Sequence, residues 1–233
     1  MTPVAIWEAY FPYELENKRV AGRMDDPFIG LLRYSFCRPR DIIQYLQLMQ
    51  AYVKDRSTRK ATFSKKSFYI CQIDFSNYLL GEVKDYFSFY HSTVDFDEVV
   101  GFFSGFGGNS AFTYEEFQGA FDRHSKRLKG KPLTIKELTS SSDDLPQFLY
   151  ALNVIGYTEH TISNGVFVHY GFRDRTTVKL RPKVKFNLEY QVHPGLQRAL
   201  LVGGVNTPAR KLKLAPSTEL KSRRRARAER HES

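Results

Sequence analysis

Apolar residues recur at three- and four-residue steps through most of this chain, the period of a helix with one buried face. Between Pro39 and Lys54 they are Ile42, Ile43, Leu46, Met49, Tyr52 and Val53, which predicts an amphipathic helix. A second run covers 65–91, with Ile70, Ile73, Phe75, Tyr78 and Leu79 followed by Val83, Tyr86, Phe87 and Tyr90, and predicts one or two helices. A third, 95–106, carries Phe96, Val99, Val100, Phe102, Phe103 and Phe106 on its apolar side. It is broken by Gly105-Phe106-Gly107-Gly108-Asn109-Ser110. Ahead of these, 5–13 predicts a short aromatic helix ended by Pro12, 14–27 a polar loop, and 27–36 a short apolar helix.

The pattern changes beyond residue 112. Thr113-x-x-Glu116 has the spacing of a capping box, in which each side chain satisfies the other residue's backbone N–H, and it opens a helix carrying Phe117 and Phe121. A basic turn at 126–132 and a short segment at 133–138 follow. Ser142-Asp143-Asp144 then opens a helix with Leu145, Phe148, Leu149, Leu152 and Ile155 inside and Gln147, Tyr150, Ala151 and Asn153 outside. Runs at 157–162 and 166–172 read as strands joined by Ser163-Asn164-Gly165, a hairpin signal. A stretch at 176–190 reads as extended or irregular, and His193-Pro194 opens a short closing helix. Helix, short helix, helix, hairpin is the order of a winged helix-turn-helix. The expected fold is therefore mainly α with a small β-hairpin: a helical lid-like region at 1–92, a winged-helix-like domain at 93–203, and a basic flexible tail at 204–233.

Composition supports a real core, with 42% hydrophobic and 15% aromatic residues in 233. No apolar run is long enough to span a bilayer, and the first residues lack a signal peptide's basic-then-apolar layout, so no membrane partner is expected. Two cysteines, Cys37 and Cys71, are too few for a disulfide framework and predict reduced thiols in a cytoplasmic setting. The net charge of +10 is uneven. Nine basic residues against three acids after Asn206 account for +6 of it. Basicity is thus largely a property of the tail.

Arg38-Pro39-Arg40-Asp41-Ile42-Ile43 stands at the start of the first long helix. Proline suits the first helical position, an acid suits the first turn, and a helix mouth holds anions readily. Together with Trp7-x-x-Tyr10-Phe11-Pro12, Leu149-x-x-Leu152-x-x-Ile155-Gly156 and Val192-His193-Pro194-Gly195-Leu196, this motif resembles the C-terminal half of a bacterial P-loop ATPase family related to STAND and AAA proteins. The resemblance covers roughly residues 5–202. It implies an ATPase lid and a winged-helix-like part, with Arg38 and Arg40 as nucleotide-sensing residues. No Gly-x-x-x-x-Gly-Lys-[Ser/Thr] occurs, so the chain alone is expected to be no enzyme, to have no catalytic residue and to carry no cofactor. A P-loop ATPase subunit in trans is the partner this implies.

Each site has a plainer alternative. Arg40 reads a phosphate held by another chain, or it is a helix-start arginine paired with Asp41, Asp74 or a carbonyl. The 145–155 helix enters a DNA groove or docks within its own domain, and the acids at its start oppose phosphate. Arg173, Arg175, Lys179, Arg181, Lys183 and Lys185 alternate along an extended stretch, putting one face in charge, either to track a nucleic-acid backbone or to keep an edge solvated. Arg223, Arg224 and Arg225 add sequence-independent attraction to nucleic acid, or serve no function. The histidines are scattered and predict no metal site.

Overall fold

The computed structural model of the protein describes residues 2–16, 24–54, 62–160, 166–174 and 183–203. It is mainly helical with small antiparallel sheets. Most helices begin where side chains satisfy the orphan N–H groups of the first turn. Thr2 caps α1 (Pro3–Tyr10). A two-residue ladder, β1 (Leu15–Glu16) with β2 (Met24–Asp25), occupies the stretch predicted as loop. Asp26 accepts from Phe28 N at 2.7 Å to start α2 (Pro27–Tyr34). The helix α3 (Pro39–Lys54) follows, and then α4 (Lys65–Ser88), one unbroken helix opened by a Ser64–Ser67 capping box. Ser92 starts α5 (Thr93–Phe102), which tightens into a 3₁₀ turn at Phe103–Phe106 and stops at Gly107 in the left-handed region.

Next come β3 (Ala111–Phe112) and α6 (Tyr114–Leu128), the latter opened by the expected Thr113–Glu116 capping box. A 3₁₀ turn at Lys136–Leu138 leads to α7 (Asp144–Ala151). The hairpin strands β4 (Ile155–His160) and β5 (Val166–Tyr170) follow, then one turn, α8 (Gly171–Asp174), and β6 (Glu189–Val192). The predicted turn 163–165 lies outside the described residues. The hairpin is half of a four-stranded antiparallel sheet in the order β3-β6-β4-β5. The end of the 176–190 stretch supplies β6, which pairs Tyr190 with both Phe112 and Tyr157.

The buried core runs without a break across residue 92. The turn Pro194–Leu196 packs on α2 and α4, so closely that a Cβ on Gly195 would fall 1.9 Å from the Tyr34 carbonyl oxygen. Ala199 N donates to Ser76 Oγ at 2.9 Å. Two expectations about helix faces are corrected. On α3 the buried stripe is Asp41, Tyr45 and Met49, while Ile43 is 55% exposed. Tyr45 stacks on Phe75 with centroids 4.4 Å apart and donates to Phe68 O at 2.8 Å. Tyr150, expected outside, is fully buried 5.6 Å from the Tyr157 ring. The reason is that α7 ends at Ala151, so Leu152 and Ile155 pack from a turn and a strand rather than along one helical face.

Candidate functional site: an arginine–carboxylate cluster beside an aromatic cleft

Pro39 begins α3, and the Arg38 carbonyl accepts from Asp41 N at 3.0 Å, which sets three charged side chains on one turn. The Asp41 carboxylate is fully buried. Its Oδ2 accepts from Phe36 N at 3.1 Å and Arg38 Nε at 2.9 Å, and its Oδ1 accepts from an Arg38 terminal nitrogen at 2.7 Å and from Tyr78 Oη at 3.3 Å. This is the two-pronged guanidinium–carboxylate geometry that only arginine offers. Burial lowers the Arg38 pKa, but the hydrogen bond and charge of Asp41, helped by Glu82, raise it further, and the net shift is upward. Burial raises the Tyr78 phenol, and Asp41 and Glu82 push it the same way.

Glu82 of α4 completes the cluster. It lies 3.1 Å from Arg38 and also holds Arg40. Two guanidiniums thus meet two carboxylates, and the formal charge cancels. The two arginines differ in freedom. Arg38 is 35% exposed and fixed on Asp41, whereas the Arg40 side chain is 61% exposed and is held by Glu82 alone among the described residues. Asp41, expected as a partner for Arg40, is taken by Arg38 instead, because the Arg38 side chain is the one that folds back along the helix mouth.

A cleft of about 200 Å³ opens beside this cluster. Its walls are Phe36 and Arg38, then Glu82, Val83 and Tyr86 from α4, then Ala151 at the end of α7 with Leu152 and Asn153 after it, and Phe172 from α8. Phe36 packs 4.9 Å from the His193 ring and 6.0 Å from Phe172, while Phe172 stacks on Tyr170. Arg38 stands 5.2 Å from the Phe36 centroid and Arg173 stands 5.6 Å from that of Phe172, so a cation flanks each aromatic wall. Asn153 takes a left-handed φ of 61°, and its Oδ1 is buried with no hydrogen-bond partner among the described residues. His193 is packed, and its Nδ1 accepts from Gly195 N at 3.2 Å, which marks it as a turn-capping residue.

The structure brings Arg38 and Arg40 together, and Arg173 lies at the rim of the same aromatic group. Lys183 and Lys185 lie elsewhere, exposed on either side of buried Val184, whose N–H donates to Gln147 Oε1 at 3.0 Å. That bond also takes up a side chain offered for base contact. Lys185 pairs with Glu159, whose other oxygen is 2.8 Å from His169 Nε2. The hydrogen bond from Lys185 holds the Glu159 carboxyl below the usual carboxylate range. Arg175, Lys179, Arg181, Arg223, Arg224 and Arg225 lie outside the described residues.

Glu82, Tyr78, Tyr86, Asn153 and Phe172 were not anticipated as site residues. Tyr78 and Tyr86 stood in the sequence only as positions of the helical apolar pattern and Asn153 only as an outward residue, and Glu82 left no local signal. Among the described residues no helix is long and apolar enough to cross a membrane, and no group of three histidine, cysteine, aspartate or glutamate side chains is placed to hold a metal ion. No family model matches the chain, and no curated protein and no solved structure matches it.

Proposed function

We propose that this chain is a non-catalytic interaction module, derived from or completing a P-loop ATPase, in which Arg40 exchanges Glu82 for the terminal phosphate of a nucleotide held by a partner subunit. The observation that carries this reading is the asymmetry of the two arginines: Arg38 is committed to a buried carboxylate, and Arg40 is exposed on a single acceptor. An exposed ion pair is worth about 0–1 kcal/mol, so an incoming phosphate that offers more oxygens displaces it at little cost. Titration of the purified chain with a fluorescent ATP analogue and Mg²⁺ tests it. The expected result is saturable binding without turnover, abolished in Arg40→Ala and tightened several-fold in Glu82→Gln. Binding indifferent to Arg40→Ala overturns the reading.

A second reading is an autonomous nucleic-acid-binding protein. Its support is the outward alternation of Lys183 and Lys185 about Val184, with Arg173 over an aromatic face. A gel shift against random duplex tests it at low and moderate salt. Backbone contacts by several cations lose affinity steeply as salt rises, and truncation after Gly204 separates the tail's share.

A further inference from the structure

The apolar pattern of α4 holds more rings than one buried face can take. Leu79, Val83 and Phe87 form the buried stripe toward its end. Tyr86, Phe89 and Tyr90 fall outside that stripe and stand in solvent: Phe89 is 81% exposed, Tyr90 72% and Tyr86 51%. The Tyr86 and Tyr90 rings lie 6.0 Å apart. Val94, four residues on in the first turn of α5, is exposed as well.

The backbone that carries these rings is fixed. Phe89 N–H donates to Tyr86 O at 3.4 Å, and the N–H groups of Tyr90 and His91 donate to Phe87 O at 3.0 and 3.1 Å. Phe87 is itself buried, 5.3 Å from the Phe96 ring and 6.0 Å from that of Phe148. Ser92 then caps α5. Rings with two side-chain torsions on a rigid turn lose little entropy when they are covered. With about 150–250 Å² in a whole aromatic side chain, the three rings and Val94 expose roughly 500 Å² of apolar surface. That matches the apolar share of a standard interface, about 800 Å² per partner and roughly 60% non-polar.

Charge selects the partner. Residues 86–94 contain no lysine, arginine, aspartate or glutamate, although 26% of the chain is charged. Lys84, just before them, reaches over the Phe96 ring of its own chain, 5.9 Å from the centroid. Across a two-fold axis a patch meets itself, so any charge near the axis faces its like at a cost. A patch that docks on its own copy must therefore be uncharged, whereas a nucleic acid or a strongly acidic protein would be met by cations. Tyrosine hydroxyls both donate and accept, so the same group serves on either side of the axis.

We propose that a second copy of this chain docks on Tyr86, Phe89, Tyr90 and Val94, forming a closed two-fold dimer. Tyr86 also walls the cleft beside Arg38, so the interface ends at that cleft. The dimer does not depend on what Arg40 binds.

Sedimentation velocity of the full chain tests the proposal across roughly 1 to 100 µM. The expected result is a monomer–dimer equilibrium with a dissociation constant of order 10 µM, no weaker at about 0.5 M salt than at about 0.1 M, since the contact is apolar and screening relieves repulsion between two cationic chains. Phe89→Lys places like charges across the axis and, as a cation, suits the end of α4. It should raise the dissociation constant at least about thirtyfold, and Tyr90→Lys should do the same. Both rings are exposed, so the circular dichroism of each variant should match the wild type. Ile73→Lys, also on an exposed position of α4 but about 24 Å nearer its start, should leave the dimer intact. A wild-type chain that stays monomeric throughout overturns the proposal, as does a dimer indifferent to both Phe89→Lys and Tyr90→Lys. Association that continues past the dimer also overturns it, since it shows a contact that does not close. So does a monomer that sediments with phosphatidylglycerol vesicles through Phe89, which assigns the surface to lipid.

Discussion

Asp41 and Asp95 are both buried acids in the first turn of a helix, and they do different things. Asp41 uses both oxygens. It takes two N–H groups from Arg38, one from Phe36 and the Tyr78 hydroxyl, and it sits one residue from an exposed arginine at a cleft. Asp95 uses one oxygen. Its Oδ2 accepts from Thr134 N at 2.6 Å, from Ile135 N at 2.9 Å and from the Thr134 hydroxyl. Its partners are neutral, and they lie across the start of α5 on a segment that needs an acceptor to turn toward the buried Ile135 and Leu138. A buried acid among neutral donors is a staple. A buried acid that fixes one arginine leaves its neighbour exposed beside a cleft, the arrangement the proposed site requires.

Removing one charge from each acid separates the two roles most sharply. In Asp41→Asn one of the two oxygens becomes an NH₂ that faces donors whichever way the amide turns, and Arg38 loses half of its partner. We expect a loss of about 3 kcal/mol in chemical denaturation, the order found when a buried ion pair is broken on one side. In Asp95→Asn the remaining oxygen can still face all three donors, so the loss is about 1 kcal/mol, mostly the charge assistance of those bonds. Equal losses at the two positions would erase the distinction.

The mouth of α3 was legible in the sequence because a proline fixes the start and an acid stands in the first turn, but the pairing was not: Asp41 was offered to Arg40, and Arg38 takes it. Glu82 was not, because it is 42 residues from Arg40 and nothing local marks the pairing. The same limit hid the Asp95 staple, which spans 39 residues, and the cleft, whose walls come from four separate stretches of chain. The buried face of α3 was misread for a different reason. Counting apolar positions favours Ile43, but the stripe is built on Asp41 and Tyr45, a carboxylate and a phenol satisfied inside the core. The two residues of β3 are too few to show a period of two, and β6 is concealed at the end of a basic stretch. Fold class was readable from the helical periodicity that dominates the first half of the chain.

A smaller effect tests whether the α5 side is purely structural. Burial, then Arg127, lowers the His124 pKa below its ordinary 6.5. Glu98 is held below the usual carboxylate range chiefly by its hydrogen bond from Lys131. The unfolded chain therefore takes up the histidine proton first. Stability is full above about pH 6.5 and declines as pH falls toward the lower folded value, and the Glu98 contribution is lost only at more acidic pH, below about 4.5. His124→Gln should remove the upper part of that decline in a series of denaturation curves and leave the more acidic part in place. An unchanged slope between pH 6.5 and 5 would show that His124 is not the group responsible.

The least effect on stability belongs to Arg40, and that is its significance. Arg40→Ala removes a mostly exposed guanidinium from Glu82, and Glu82 keeps Arg38 at 3.1 Å, so no buried charge is stranded. The denaturation midpoint should move by no more than about 0.5 kcal/mol. Asp41→Asn, one residue away on the same turn, should cost several times as much. An arginine whose removal leaves the fold untouched but abolishes nucleotide-analogue binding is held in reserve for a ligand. One whose removal costs as much as Asp41→Asn is a structural member of the cluster, and the contrast between the two helix mouths then reduces to two ways of anchoring a helix.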